Sequence, residues 1–398
     1  MDAATRQFIR ENLNADVPTL ALKKAPVGTD FSLALRQIRA RQLLRKKVPS
    51  WADNDDLLFP AHLSIEQCSS EAAARYKASL LQGQTFADLT GGLGIDTYFI
   101  RQGFGQTDYV EQQTELCDLA RHNFEVLKAN VEVWNETAED YLSRCEPKDC
   151  IFIDPARRDE HGRKTVSIAD CTPDVAALQE SLLEKASTVL VKLSPMLDIG
   201  KALEELRHVK AVHVVAVANE CKELDVVMER GFEGTTEVVC VNLLTAQPTV
   251  RFTLEEERDC RALLADDVLQ YLYEPNPAVM KAGCFKLLTE RYGVLKLHKN
   301  SNLYTSIQKI VGFPGRIFEV EGCAPYNKKV RQGLLSGVEK ANIAVRNFPL
   351  SVAELRKALK IGDGDETYLF ATTLRGERRV VVKTKKTASN EAVSSPCC

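Results

Sequence analysis

The sequence predicts an open, mostly parallel, doubly wound α/β domain, with a helical region before it and small α+β units after it. Three observations carry this. Short apolar runs alternate with helical stretches six times across residues 84–247. Those runs are continuously Val, Ile, Leu and Phe, the pattern of parallel strands covered on both faces. A glycine-rich turn, FADLTGGLGID, follows the first run directly. A chain of 398 residues also exceeds one ordinary domain, so four segments are expected: 1–82, 83–250, 251–320 and 321–392.

Taken in order, DFSLALRQIRARQLLRKKV places Leu33, Ile38, Leu43 and Leu44 near one helical face with Arg36, Arg39, Arg41 and Arg45 around it, a basic amphipathic helix. SSEAAARYKASLLQG offers Ser69 and Ser70 as N-caps and Gly83 as a stop. Seven strands are then expected, TFADL, TDYVE, VEVWN, CIFID, TVLVKL, VHVVAVAN and EVVCVNL, with helices near 94–103, 113–129, 173–186, 201–207 and 222–230. After residue 250 the alternation stops. YLYEPNPAVMKAG combines a turn with a short helix, and LLTERYGVLKLHKNSNLYTS suggests strand and loop. In the last segment IFEVEG is strand-like, KKVRQGLLSGVEKAN helical, IAVRNF strand-like, and SVAELRKALKI a helix with Ser351 as N-cap and Glu354 three residues on. TYLFATTL and ERRVVVKT pair across a turn, and residues 386–398 form a frayed tail.

Composition excludes several classes. Apolar residues make up 44% and charged residues 27%, without low-complexity tracts, so fibrous and wholly disordered chains are ruled out. No run reaches the ~18–20 apolar residues of a membrane span, and MDAATRQFIRENL lacks the apolar core of a signal peptide, so a cytoplasmic protein away from membranes is expected. The 12 cysteines nowhere form CxxC and the six histidines nowhere form HxxxH, so buried reduced thiols are expected and no metal site. The net charge of −3 is unevenly spread: ten Lys and Arg face four Asp and Glu in residues 1–50, and fourteen face eight in 321–398, leaving −15 on 51–320. Basic ends suit a phosphate backbone, and equally suit solvated surface faces.

Chemistry concentrates at four strand ends. In FADLTGGLG, Asp88 closes the first strand and Thr90, Gly91, Gly92 and Gly94 lead through a turn into a helix, where a nucleotide-like ligand can approach the backbone; glycine turns also end ordinary strands. Glu111 closes the second strand 23 residues later, placed to accept hydrogen bonds from both hydroxyls of a ribose. After the third strand, Thr137, Ala138 and Glu139 either meet an adenine edge or cap a surface helix. After the fourth, CIFIDPARR sets Asp154 at the mouth of the crevice, with Pro155 as a rigid turn and Arg157 and Arg158 able to hold a phosphate or carboxylate.

Together these strand ends resemble the class I S-adenosylmethionine-dependent methyltransferases. The resemblance implies a Rossmann-like core with a seven-stranded sheet, S-adenosylmethionine as cofactor on Asp88, Thr90, Gly91, Gly92, Gly94, Glu111, Thr137, Ala138 and Asp154, and an acceptor facing Asp154, Pro155 and Arg157. Thr90 stands where the first glycine of motif I is common. DPARR is similar to the DPP and NPP motifs of nucleic-acid methyltransferases, with Ala156 replacing the second Pro and Arg157 standing where amino-methylating enzymes carry an aromatic. QCSSEAAARYKA, KLSPMLD, NPAVMKAG and ANIAVRNFPLS resemble a little-characterised bacterial methyltransferase family with a ferredoxin-like unit, expected over 251–320, and a C-terminal THUMP-like domain, expected over 321–392. THUMP domains proper bind tRNA, so RNA, either tRNA or rRNA, is the implied partner.

Lys192 and Ser194 follow the fifth strand and either shape the acceptor pocket or form a turn into a helix. Cys221 is a candidate nucleophile for pyrimidine C5 methylation, or a buried structural thiol. Tyr304, Tyr326 and Phe348 among Lys299, Lys328, Lys329 and Arg346 resemble a stacking surface, or are core aromatics. A methyltransferase acting on RNA is the leading reading. A non-catalytic RNA-binding protein with a degenerate Rossmann core, a small-molecule methyltransferase and a dehydrogenase are the alternatives; the last lacks its third glycine.

Overall fold

The first three helices of the N-terminal region each start at an aspartate that accepts a hydrogen bond from a first-turn backbone N–H. Asp2 caps α1 (Ala3–Asn12), Asp16 caps α2 (Val17–Ala21) and Asp30 caps α3 (Phe31–Lys47). The computed structural model describes residues 1–60, 68–157, 167–327, 329–364 and 366–387. The chain divides into two units, one of Met1–Ala211 with Leu224–Gly234 and one of Val212–Glu223 with Thr235–Cys398.

In the first unit Ile9, Leu20, Ala34 and Ile38 form a small helical core. α3 is less basic outside than its sequence suggests, because Arg41 is buried. Its guanidinium donates to the carbonyls of Ala52, Asn54, Asp55 and Leu57, clasping the segment after α4 (Pro49–Ala52). Buried without such partners a guanidinium would be strongly destabilising. Leu44, Val48, Trp51, Leu57 and Phe59 pack on Leu93, Ile95 and Phe99, so the N-terminal region braces the glycine turn and the helix behind it. α5 (Glu71–Ala78) is capped by Ser70 and ends before Gly83, its last turn closed by Ser79.

The sheet of this unit runs β9-β7-β4-β1-β2-β3. Its parallel members are β1 (Thr85–Asp88), β2 (Gln106–Val110), β3 (Glu132–Trp134), β4 (Lys148–Ile153) and β7 (Ala186–Leu193). The connecting helices are α6 (Ile95–Ile100), α7 (Thr114–Val126), α8 (Ala138–Arg144), α9 (Val175–Lys185) and α10 (Ile199–Glu205). Phe86, Cys150, Phe152 and Leu190 share one core with Ile100, whereas Tyr109 packs with Cys117, Ala120 and Phe124 of α7. Two short strands, β5 (Ala156–Arg157) and β6 (Cys171–Thr172), pair beyond the end of β4.

Two sequence expectations fail here. Residues 222–230 are not a helix: 222–229 belong to β9 (Glu220–Glu229), which pairs antiparallel with β7 and forms a hairpin with β8 (Val209–Val217). Ala218 and Asn219, both at positive φ, make the two-residue turn, and Leu224–Met228 is buried on both faces. Such a strand shows no two-residue periodicity, and its Glu, Lys, Leu and Met are good helix formers, so local preference misled. Where the sequence predicts seven strands before residue 250, the described residues hold ten, the additions being β9 and the short pair β5 and β6, and β11 (Val250–Thr253) follows.

In the second unit β11 pairs with β10 (Glu237–Leu243), and α11 (Leu254–Asp259) follows with a Thr253/Glu256 capping box. A seven-stranded sheet then runs β13-β14-β12-β15-β18-β17-β16. It takes β12 (Tyr271–Pro275), β13 (Leu295–His298) and β14 (Ser301–Ser306) from one stretch of chain, with α12 (Pro277–Ala282) and α13 (Leu287–Tyr292) between them. The other stretch supplies β15 (Gly315–Pro325), β16 (Asn342–Arg346), β17 (Thr367–Leu374) and β18 (Arg378–Lys386), with α14 (Val352–Leu359) held by its Ser351/Glu354 box as expected. Gly315 is required by close approach, since a Cβ there would lie 2.1 Å from the Glu274 carbonyl. The helix expected over KKVRQGLLSGVEKAN is absent: 329–335 is a run of turns, with Gly337 at positive φ, although Val330, Leu335 and Val338 still reach the core. Burial there does not need helical periodicity. Lys328 and the tail 388–398, with Cys397 and Cys398, lie outside the described residues.

Candidate active site

The glycine turn is shaped by what surrounds it. Asp88, 1% exposed, accepts from the Thr90 backbone N–H and, at 2.6 Å, from the Thr97 hydroxyl, pinning both ends of the turn to the end of β1. Burial pushes its carboxyl up to about 7, against the lowering effect of those two donors. Gly91 must be glycine because a Cβ would fall 2.1 Å from the Tyr109 ring, and Gly94, at φ +79°, because one would fall 2.9 Å from Phe124. Gly92 differs. At φ +53° its Cβ position meets nothing closer than the Thr90 carbonyl at 3.8 Å, so the backbone is open on that side.

Glu111 lies across from this opening. Its carboxylate accepts from the Gly92 N–H at 3.0 Å through one oxygen and from the Gln113 N–H at 2.8 Å through the other. Each carboxylate oxygen accepts more than one hydrogen bond, so capacity remains for two hydroxyls. Tyr109 donates to the Gly92 carbonyl at 2.7 Å, and Asn135 donates to the carbonyls of Glu111 and Gln112. Neither residue stood out in the sequence, since each acts only through the backbone it meets. A ribose-bearing cofactor fits this constellation: a glycine backbone that a side chain would obstruct beside a carboxylate already oriented by two amides.

The third expected element divides. Thr137 caps α8 by accepting from the Asp140 N–H, Ala138 is buried and Glu139 is exposed, so the side chains of these residues serve the helix. At the fourth, Asp154 stands just past β4 with Pro155 buried behind it. The Asp154 side chain, 35% exposed, pairs with Lys192 of β7. Enclosure raises the carboxyl above its ordinary range, while Lys192 opposes the rise. Arg157 has its backbone in β5, paired with Cys171; its side chain and all of Arg158 lie outside the described residues. Lys77 of α5 is fully buried against Asp96 and Ser69, and Ser69 donates to Asp96 at 2.6 Å. Ser194 lies in a turn, its hydroxyl accepting from the Met196 N–H.

Other candidates do not hold. Burial pushes the Cys221 thiol up to about 11, the reverse of what a thiolate nucleophile needs. Cys323 is exposed and Cys68, Cys221 and Cys260 are half-buried, so the thiols are less uniformly interior than expected. Tyr304 is fully buried and donates to the Phe285 carbonyl, while Tyr326 and Phe348 are half-buried and pack edge to face at 5.2 Å against the core. Tyr304 is therefore a core aromatic and not part of a stacking surface. Among the described residues no cluster of His, Cys, Asp and Glu is disposed to hold a metal, and no helix is long and apolar enough to cross a membrane.

Residues 271–314 match the ferredoxin-like domain family and residues 315–385 the THUMP domain-like family. A crystal structure of a candidate methyltransferase from Porphyromonas gingivalis W83 is 36% identical, covers 96% of this chain and 98% of its own, and superposes with a TM-score of 0.86. A candidate class I S-adenosylmethionine-dependent methyltransferase from Listeria monocytogenes is 9% identical over 61% of this chain and 94% of its own, with a TM-score of 0.36. An rRNA methylase from Streptococcus thermophilus is 15% identical over 40% of this chain and 94% of its own, with a TM-score of 0.30. No curated protein matches the chain. With the Porphyromonas protein alike along nearly its whole length, the chain belongs to the same methyltransferase family, and its residues 315–385 carry the THUMP-like domain.

Proposed function

We propose that the protein transfers a methyl group from S-adenosylmethionine to an RNA acceptor. The observation that carries the reading is the joint geometry of Gly92, Glu111 and Asp154: an open glycine backbone, an oriented carboxylate beside it, and a second carboxylate fastened to the same turn through Thr90. The THUMP-like match and the excess of basic residues in 321–398 support RNA as the acceptor.

Gly92 and Glu111 would hold the cofactor, which when bound supplies a methyl group on a positively charged sulfur. Methyl transfer is then mainly a matter of alignment. The protein's own residues supply that alignment. Glu111 receives the ribose hydroxyls, Asp88 and Tyr109 keep the turn in shape, and Pro155 fixes the acceptor edge. Asp154 accepts a hydrogen bond from the acceptor's N–H or O–H, which directs the lone pair, and takes the proton as the new bond forms. Lys192 balances the charge of Asp154 before that transfer.

Calorimetry with S-adenosylhomocysteine and with NAD, followed by mass spectrometry of nucleosides from total RNA with and without the gene, tests the proposal. Binding of the first ligand and loss of one methylated nucleoside are expected. Binding of NAD instead would point to a dehydrogenase, and an unchanged nucleoside profile would remove RNA as the acceptor.

A further inference from the structure

A row of four polar residues runs across the C-terminal ends of the parallel strands β1, β4 and β7 and on to the middle of the antiparallel β9 in the first unit. The Thr90 hydroxyl accepts from the Asp154 N–H; Asp154 pairs with Lys192; and Lys192 is the register partner of Asp225 on β9. Residues directly opposite in an antiparallel pair project to the same face with Cβ atoms ~4.5–5.5 Å apart. Lys192 is thus flanked by two carboxylates, one on each neighbouring strand. Asp154 is at the crevice mouth and partly exposed, whereas Asp225 is 0% exposed.

That asymmetry matters chemically. A fully buried carboxylate is stable as an anion only beside a cation, so Asp225 has a standing demand for the Lys192 ammonium. Asp154 pairs with that ammonium and stands where the proposed transfer needs a proton accepted. An ammonium given wholly to Asp154 would hold it ionised but make it a weak base; one withdrawn wholly would leave it protonated by its enclosure.

We propose that Asp225 and Lys192 are positioning residues that set the basicity of Asp154, with the ammonium shared between the two carboxylates. This rests on the reading of Asp154 as the proton-accepting group. Other charged groups bear on Asp154 too: Asp96 of α6 and Asp88 of β1 disfavour its ionisation, and Lys77 of α5 favours it. Lys192 also faces the Cys68 thiol, which burial holds at about 11 and therefore neutral. Asp225 differs from these groups in standing directly opposite Lys192 on the adjoining strand.

The test is carbon NMR of the full-length protein labelled at aspartate carboxyls, with the Asp154 signal assigned by its loss in Asp154→Asn. Asp225→Asn should lower the pH at which Asp154 titrates, because the ammonium is then given to Asp154 alone. Lys192→Met should raise it by about one unit or more, the scale of losing one close opposite charge, and Lys192→Arg should restore most of the difference. If Lys192→Met fails to fold, the Asp225→Asn and Lys192→Arg proteins still decide the matter. An Asp154 titration unmoved by Asp225→Asn overturns the proposal, as does a Lys192→Arg protein whose Asp154 titrates like that of Lys192→Met. The titration needs neither cofactor nor acceptor. Failure of the methyl-transfer reading would appear instead as absent S-adenosylhomocysteine binding, with the titration shifts intact.

Discussion

The Thr90 hydroxyl accepts a 2.6 Å hydrogen bond from the backbone N–H of Asp154, tying the turn after β1 to the turn after β4. The strand registers make this possible, because Asp88 is level with Phe152 and each turn begins two residues further on. It also explains a departure from the family pattern. A glycine at position 90 would leave the Asp154 N–H without this acceptor, so the threonine couples the glycine turn to the turn after β4.

Glu111→Ala should weaken S-adenosylhomocysteine binding tenfold or more in calorimetry. Two hydrogen bonds to a carboxylate at ~1.5–3 kcal/mol each set that scale, and the Gly92 amide would lose its partner as well. Unchanged affinity would place the cofactor elsewhere.

Gly91→Ala should destabilise the protein by about 1–3 kcal/mol in urea unfolding, because the new methyl group would sit 2.1 Å from the Tyr109 ring. It should weaken cofactor binding too, since Tyr109 holds the Gly92 carbonyl. The double variant Gly91→Ala with Tyr109→Leu should recover part of the loss in stability; no recovery would mean that the ring is not what excludes a side chain there.

Asp88 makes stability depend on pH in a direction opposite to that of a salt-bridged carboxylate. Its folded-state value of about 7 lies above the ordinary 3.8, so between those values the folded protein binds more protons than the unfolded chain. Stability from this group is therefore present below about 4 and lost as pH rises toward 7. Asp88→Asn, which keeps an acceptor for the Thr90 N–H, should flatten that fall in urea midpoints measured from pH 4 to 8. Parallel profiles for the two proteins would contradict the raised value.

Asp154→Asn should lower methyl transfer by ~10²–10⁴ while S-adenosylhomocysteine affinity changes only a few-fold, because the amide keeps the shape and loses the proton acceptor. Cys221→Ser should leave transfer intact, as its thiol is held neutral at neutral pH. Labelled-methyl incorporation into RNA from cells lacking the gene measures both. An inactive Cys221→Ser with an active Asp154→Asn would replace this mechanism with a covalent one.

The sequence by itself determined the parallel core and which residues stand at its strand ends. Asp88, the glycine turn, Glu111 and Asp154 were legible because each sits at a fixed place relative to a strand end, and strand ends are marked by apolar runs that local chemistry dictates. The Ser351 capping box was legible for the same reason: its contacts lie within four residues. Tertiary structure alone decided what depends on residues distant in the chain. That 222–229 is strand follows from its hydrogen bonds to β7, which outweigh the helical preference of its own residues. That Arg41 is interior follows from four carbonyls eleven to sixteen positions away. The row from Thr90 to Asp225 exists only once four strands are in register, and register is a property of the folded sheet that no single segment encodes.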